Sequence, residues 1–243
     1  MRWFLFLTLL TVFSSILCFG EQLRLVHLMQ EATPGSYLVT FQNKNFTFIH
    51  IYDKNDRYLT LEEISIPASR IKGGMDWKQW FETGGMGHTS WIMSHLNLNT
   101  GHFEAAYSFT KRGWIDIKEA DHYMSTLLNL TFYSISEDCR RKIGPPPGYG
   151  KQDERPVWHP RLVVDGILLS DVNFKGWKTR WPNDRSDLSK KKIEIYLPEK
   201  MEACTYPTFF PYWIEVEGKL ASGRLRVIDS GQWAKSPMPQ IFI

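Results

Sequence analysis

The sequence predicts an α+β fold dominated by β-structure: a mainly antiparallel sheet, or a sandwich of hairpins, with two or three short helices packed on one face. Short runs of alternating apolar and polar residues recur along the chain between turn-forming residues, which is typical of antiparallel hairpins. One longer segment, Lys118 to Leu130, instead has the periodicity of an amphipathic helix. Aromatic residues make up 14% of the chain, and Trp and Tyr suit both the core of a sheet and the wall of a ligand groove.

The N-terminal segment has the pattern of an export signal. Arg2 precedes an apolar run from Trp3 to Phe19, and the small residues Cys18 and Gly20 stand just before the polar Glu21. A cationic start, a short apolar run and a small-residue exit are what export and its peptidase require. The sequence therefore predicts a cleavable signal peptide over residues 1–20 and an exported protein, periplasmic or extracellular. A membrane-anchored form is the alternative, because the run lies near the lower limit for spanning a bilayer.

A Pro/Gly-rich segment at residues 145–156 divides the mature chain into a first half, residues 21–144, and a second half, residues 157–243. Its opening prolines, Pro145 to Pro147, lack the amide donors that a helix or a central strand needs. Two interpretations remain open for this segment. It is either a linker between two domains or an ordered loop within one domain.

The first half predicts two hairpins with a further strand between them. The first hairpin turns at the polar segment Gln42 to Asn45. The second turns at Asn99 to Gly101, which holds residue types that tolerate positive φ. The strand between the hairpins ends at Pro67, which cannot donate to a sheet. The predicted strands are Tyr37–Phe41, Phe46–Tyr52, Tyr58–Ile66, Ser90–Leu98 and His102–Phe109.

Three helical segments are predicted in the same half. Asp76 can cap a short helix that runs through Phe81, because its carboxylate can accept from the free amides of the first turn. The amphipathic segment Lys118 to Leu130 has acidic residues near its start, as the helix dipole favours, and is expected to lie on the sheet. A second capped helix is predicted to begin at Ser136 and to stop before Gly144.

The second half again predicts antiparallel hairpins. Asp165-Gly166 between two apolar runs is a strong hairpin signal. Residues Phe174 to Ser189 are polar and rich in turn formers, which predicts a long irregular loop that holds Trp177 and Trp181. The predicted strands are Arg161–Val164, Ile167–Leu169, Ile193–Leu197, Trp213–Glu217 and Leu220–Ile228.

Charge and motif content exclude several classes of function. Lys and Arg number 29 against 26 Asp and Glu, and this near balance predicts no nucleic-acid partner. The glycine cluster Gly84 to Gly87 lacks the lysine and Ser/Thr of a phosphate-binding loop, and no cofactor is predicted. Membrane association is expected only if the leader is retained.

The cysteines predict one structural disulfide. Cys18 would leave with the signal peptide, so Cys139 and Cys204 remain in the exported chain. Two distant cysteines without a CxxC pair, in an oxidising compartment, favour a structural bond over a zinc site or a redox centre. Two unrelated buried thiols are the alternative.

One histidine-rich region suggests an enzyme as the second functional hypothesis. His88, His95, His102 and His122 lie near several carboxylates in sequence, and such residues can bind zinc or relay protons. The spacing does not favour convergence, because His88 and His95 are an odd number of residues apart on extended chain and would point to opposite faces. The alternative function is therefore an exported hydrolase, with a metal as one option.

The leading hypothesis is an exported, non-enzymatic binding or envelope-associated protein. An antiparallel sheet would serve as the scaffold, and a concavity lined by Trp and Tyr would bind an apolar, glycan or protein ligand outside the cytoplasm. The candidate ligand-binding residues lie in Pro-rich or polar segments, where core packing explains a tryptophan least well. They are Trp158, His159, Trp177 and Trp181.

Overall fold

The computed structural model describes residues 21–71, 73–170, 172–200, 206–218 and 223–241. The expected signal peptide, residues 1–20, and Cys204 lie outside these ranges. Within them the chain forms an antiparallel sheet of 12 strands and a separate sheet of two strands. This architecture confirms the predicted fold class.

The strands of the large sheet follow the order β1-β8-β11-β12-β13-β14-β2-β3-β4-β5-β6-β7, and β9 and β10 form the small sheet. The strands are β1 Gln22–Leu23, β2 Tyr37–Gln42, β3 Asn45–Lys54, β4 Tyr58–Pro67, β5 Ser90–Asn97, β6 Phe103–Ser108, β7 Gly113–Trp114, β8 Phe132–Ser134, β9 Leu162–Val164, β10 Ile167–Leu169, β11 Phe174–Arg180, β12 Lys192–Pro198, β13 Trp213–Val216 and β14 Gly223–Gly231. The helices are α1 Leu25–Gln30, α2 Trp77–Glu82 and α3 Lys118–Asn129.

Strands from both halves of the chain interleave in the large sheet. β14, near the C-terminus, pairs with β2, and β11 pairs with β8 across the Pro/Gly-rich segment. The two halves therefore share one continuous set of backbone hydrogen bonds. In the described part of the chain, no helix has the length and apolar character of a membrane-spanning segment.

The local turn signals explain why most hairpins form where the sequence predicts them. In the β2–β3 turn, Asn43 and Lys44 have φ values of 48° and 63°, which suits the twist of a two-residue hairpin. Asp165 and Gly166 have φ values of 48° and 78° between β9 and β10. Asp76 caps α2 as predicted, because its carboxylate accepts a hydrogen bond from the Gln79 amide at 2.9 Å.

The two faces of the sheet carry separate apolar cores. Tyr37 and Val39 of β2 pack in a cluster with the aromatic side chains of α2. Leu38, between them, joins the larger cluster that includes residues of α1 and α3. Since successive side chains of a strand point to opposite faces, α2 lies on one face, and α1 and α3 lie on the other. This arrangement differs from the expectation that all helices share one face.

Two secondary-structure predictions are wrong. Residues 174–180 form β11, an internal strand between β8 and β12, rather than part of a loop. Exposed lysines at positions 175 and 178 mask the strand pattern in the sequence, but pairing on both sides fixes it. The helix expected from Ser136 is only a short 3-10 turn, Glu137–Cys139, without a side-chain cap, because the chain is already extended at Arg140.

Candidate ligand-binding groove

A groove of about 660 Å³ lies between α3 and the face of the sheet formed by β2 to β6. Side chains of these strands form its floor, and Ala120, Met124 and Leu127 of α3 form its roof. Phe209 and Phe210, from the segment before β13, also line it. The volume falls within the range of about 300–1,000 Å³ that is usual for small-molecule sites.

The centre of the floor is set by the strand register. Ile49 of β3 pairs with Glu63 of β4, and Glu63 pairs with Ile92 of β5, so the three side chains form one row across the sheet. Leu61 and Ser65 lie two residues before and after Glu63 on the same face. A single carboxyl group is therefore surrounded by isoleucine and leucine side chains, with a hydroxyl group on one side.

Glu63 has no hydrogen-bonding or ionic partner among the described residues. Burial disfavours its charged form and raises the pKa of its carboxyl group above the ordinary value of 4.5. The nearby hydroxyls of Thr47 and Ser65 bond to each other across 3.1 Å rather than to the carboxyl group. An unpaired acid with a perturbed pKa inside a cavity is typical of a functional site.

The groove is acidic. Among its described lining residues, the ionisable side chains are those of Glu63, Asp116 and Asp121, and none is Lys, Arg or His. Asp116 accepts a hydrogen bond from the Lys118 amide at 3.1 Å. Asp121 accepts one from the Phe103 amide at 2.7 Å. Glu63 is the lining carboxyl group that has no partner among the described residues.

The roof is fastened to the β5–β6 hairpin at both ends. Near the start of α3, Asp121 bonds to the Phe103 amide and lies 3.0 Å from Nδ1 of His102. At the other end, the Asn129 side-chain amide donates to the Thr100 carbonyl at 2.9 Å. Gly101, with φ of 71°, makes this second contact possible, because a Cβ atom there would lie 2.6 Å from the Asn129 side chain.

The opposite face of β4 carries a carboxyl group in a contrasting environment. Glu62 is fully buried, and one of its oxygens lies 2.8 Å from Nδ1 of His50. Its other oxygen accepts hydrogen bonds from Trp91 Nε1 at 3.2 Å and from Ser236 Oγ at 2.8 Å. His50 Nε2 donates to the Ala234 carbonyl at 3.0 Å, so this network attaches the C-terminal tail to the sheet.

A third buried carboxyl group lies where the small sheet meets β14. Asp229 is 4% exposed and accepts a hydrogen bond from the Gly166 amide at 3.1 Å. Burial, followed by the charges of Asp165 and Asp76, raises the pKa of Asp229 to about 6. Tyr37 donates to Asp165 at 2.8 Å, and burial raises the pKa of this phenol as well.

The four predicted ligand-binding residues do not line the groove. Trp177 and Trp181 are 4% and 3% exposed and belong to the large core. Trp158 packs edge-on against other rings, and the His159 ring stacks on Phe174 with centroids 5.8 Å apart. The aromatic residues that do line the groove within the described chain are Phe103, Phe209 and Phe210, rather than the expected Trp and Tyr.

The four histidines of the predicted metal or catalytic region are not brought together. Within the described residues, no group of three or more His, Cys, Asp or Glu side chains is placed to hold a metal ion. Burial lowers the pKa of His95. The four histidine rings have separate partners: the Gly85 carbonyl for His88, Thr60 for His95, Asp121 for His102 and Asp184 for His122.

The predicted disulfide is not supported at its described cysteine. Cys139 is exposed and is a free thiol at the end of the short 3-10 turn. Its expected partner, Cys204, lies outside the described residues.

Sequence reasoning missed Glu63, although the strand pattern contains a signal for it. Tyr58 to Ile66 alternates, and two adjacent acids interrupt it at positions 62 and 63. Because neighbouring residues of a strand point to opposite faces, this pair must place one carboxyl group on each face. In a strand that lies inside a large sheet, both positions are costly to bury unless they are paired or functional.

The comparisons with known proteins agree with this fold. The family model described as "CT021 protein" matches residues 47–170, which is just over half of the chain and includes most of β3, all of β4 to β6, and α3. A solved structure of the hypothetical protein CT021 from Chlamydia trachomatis superposes with a TM-score of 0.64 at 17% sequence identity. The alignment covers 91% of this chain and 98% of that one. No curated protein matches. The chain therefore belongs to the CT021 protein family.

Proposed function

We propose that this protein is an exported binding protein whose groove between α3 and the sheet holds a small, predominantly apolar molecule. The observation that carries the proposal is the unpaired Glu63 on the floor of a cavity of about 660 Å³. A mostly apolar pocket with few polar groups and a perturbed carboxyl group has the composition of a ligand site.

The energetics of Glu63 support a binding role. The carboxyl group of Glu63 makes no hydrogen bond or ion pair with a described residue that would stabilise the fold. Its partial removal from water raises the free energy of the folded state. Polar groups that lower stability in this way are typical of binding and catalytic sites, where function conflicts with stability. The roof contacts of Asp121 and Asn129 keep α3 over the cavity without filling it.

Export is supported by the sequence of residues 1–20, with its cationic start, apolar run and small-residue exit. N-terminal sequencing of the protein purified from its native host tests this part of the proposal. The expected mature N-terminus is Glu21. An intact chain that begins at Met1 in the cytosolic fraction would contradict export and leave the binding proposal to its own test.

A pair of matched variants tests whether the groove binds ligand. Ala106 lines the floor, whereas Ala105 lies next to it on the same strand and points to the other face. Nile red, a neutral apolar dye, serves as the probe, and its fluorescence reports binding to the mature protein. We expect wild-type protein and Ala105→Phe to bind the dye similarly, and Ala106→Phe to bind it at least about 10-fold more weakly because the new ring occupies the groove.

A second variant that fills the groove keeps the test valid if Ala106→Phe fails to fold. Met124→Trp narrows the groove from the roof and leaves the sheet unchanged. Both filling variants are compared with wild-type protein by near-UV circular dichroism, and the binding comparison uses those that keep the native spectrum. Wild-type protein that binds no neutral apolar probe, or equal binding by the filling variants, would contradict the proposal.

A further inference from the structure

We infer that the ligand of the groove is a basic amphiphile, a molecule with a protonated amine on an apolar body, and that its ammonium group pairs with Glu63. This inference rests on the proposed function and names the ligand class. It depends on three features of the groove: the sign of its charges, the hydroxyl groups around Glu63 and the apolar surface beside them.

The lining charges select against anions. Glu63, Asp116 and Asp121 are acidic, and the described lining residues include no cationic side chain. A fatty acid or another anionic amphiphile would place its head group among these carboxyl groups without a countercharge, which is unfavourable in a partly desolvated site. A cation finds attraction at both the floor and the roof.

The surroundings of Glu63 suit an ammonium group in particular. An ammonium has three donors and no acceptor. Glu63 offers carboxylate oxygens, and two serines offer hydroxyl oxygens on the same face: Ser65 two residues further along β4, and Ser94 on β5, diagonal to Glu63. A buried ion pair stabilises a complex only when its remaining donors are also satisfied, and these hydroxyls can do so.

The surface beside Glu63 suits the apolar body. Ile49, Leu61 and Ile92 flank the carboxyl group on the floor, and Met124 and Phe210 are among the apolar groups that line the rest of the groove. Methionine adapts to irregular apolar shapes, so the roof can accept an alkyl chain or a ring. A bare divalent cation is disfavoured, because it needs several oxygen ligands and the described residues hold no metal-binding cluster.

A series of three amphiphiles with the same chain tests the inference. Dodecylamine, dodecanol and dodecanoate compete with Nile red for mature wild-type protein at about pH 7.5, where a primary amine is protonated, and below their critical micelle concentrations. We expect the amine to bind about 10- to 100-fold more tightly than the alcohol, as charge-assisted pairing predicts. Dodecanoate should bind most weakly.

Two charge-neutralising variants locate the effect. Glu63→Gln removes the charge from the floor, and Glu119→Gln removes one from the exposed surface of α3, outside the groove lining. We expect Glu63→Gln to lose the preference for the amine while dodecanol binding changes less than about 3-fold. Glu119→Gln should keep the wild-type preference.

The outcomes separate the two proposals. An amine preference that survives in Glu63→Gln, or dodecanoate binding as tight as amine binding, would overturn the inference and leave the binding groove in place. Failure of all three amphiphiles to displace the dye from a protein that binds it would also overturn the inference. Failure to bind the dye itself would overturn the proposed function.

Discussion

Glu62 and Glu63 are neighbours on β4, but they lie on opposite faces of the sheet in opposite environments. Glu62 is enclosed by α2 and the C-terminal tail, and its oxygens lie within hydrogen-bonding distance of His50, Trp91 and Ser236. Glu63 faces the groove and has no partner among the described residues. The same side chain therefore serves the fold on one face and is available to a ligand on the other.

The difference between Glu62 and Glu63 shows that burial alone does not identify a functional acid. Glu62 is fully buried and Glu63 is half-buried, but the oxygens of Glu62 have partners within the fold. The carboxyl group of Glu63 makes no hydrogen bond to a described residue and lines a cavity. An unsatisfied group beside empty volume is the more informative combination.

The largest expected effect is a loss of stability when the carboxyl group of Glu62 is removed. Glu62→Ala leaves His50, Trp91 and Ser236 without their shared acceptor, and we expect it to lower the free energy of unfolding by about 3–5 kcal/mol. Glu63→Ala is the matched control and should cost less than about 1 kcal/mol, because it removes no described contact. Urea denaturation measures both. Equal losses for the two variants would contradict the difference between the faces.

A third buried carboxyl group, that of Asp229, is expected to make the stability of the protein depend on pH. The pKa of the Asp229 carboxyl group is about 6 in the folded protein, whereas its ordinary value is 3.8. The folded state therefore keeps the proton to higher pH than the unfolded chain, and the free energy of unfolding falls as the pH rises from about 3.8 to 6. Asp229→Asn keeps an oxygen for the Gly166 amide but cannot ionise. We expect it to raise the free energy of unfolding by about 2–3 kcal/mol at pH 8, and by much less at pH 4. A gain that is the same at both values would rule out ionisation as its cause.

A smaller gain in stability is expected when Glu63 is neutralised in the empty protein. Burial raises the pKa of its carboxyl group, so the folded state keeps the proton to higher pH than the unfolded chain, and ionisation at neutral pH destabilises the fold. The other charged groups that line the groove are Asp121, on α3, and Asp116, two residues before the start of this helix. Glu63→Gln should stabilise the protein by about 1 kcal/mol at pH 8 in thermal unfolding, with a smaller effect at pH 4. A loss of stability would indicate that Glu63 supports the fold.

The last effect, similar in size, concerns the roof. Asn129→Ala removes hydrogen bonds to the Thr100 and Ser125 carbonyls, and we expect a loss of about 1 kcal/mol and faster release of Nile red in stopped-flow experiments. Asn99→Ala, in the exposed turn next to Thr100, is the control and should change neither. Unchanged release from Asn129→Ala would show that this contact does not hold α3 over the groove.

Local signals in the sequence suffice for much of the fold. The hairpins around Asn43 and Asp165, the capped helix after Asp76 and the amphipathic helix α3 all follow from turn residues, capping and periodicity over a few residues. Strand β11 could not be identified in this way. Its polar pattern becomes a strand through pairing with β8 and β12, which depends on distant parts of the chain.

The candidate site was less accessible to sequence reasoning. The adjacent acids at positions 62 and 63 show that one carboxyl group lies on each face, but not which one is paired. His50 and Ser236, which satisfy Glu62, and α3, which covers Glu63, reach these positions only through tertiary packing. The sequence pattern predicts Trp177 and Trp181 to be loop residues, but both are buried in the core, Trp177 within β11 and Trp181 directly after it.

The most direct test of the account is a carboxyl ¹³C NMR titration of Glu63, with its signal assigned by its absence from Glu63→Gln. In the free mature protein, the account predicts a pKa above the ordinary 4.5, and a clear decrease when dodecylammonium is bound, because the cation stabilises the carboxylate. A Glu63 signal that titrates near 4.5 and does not respond to the amine would contradict the assignment of this carboxyl group as the ligand-pairing acid of the groove.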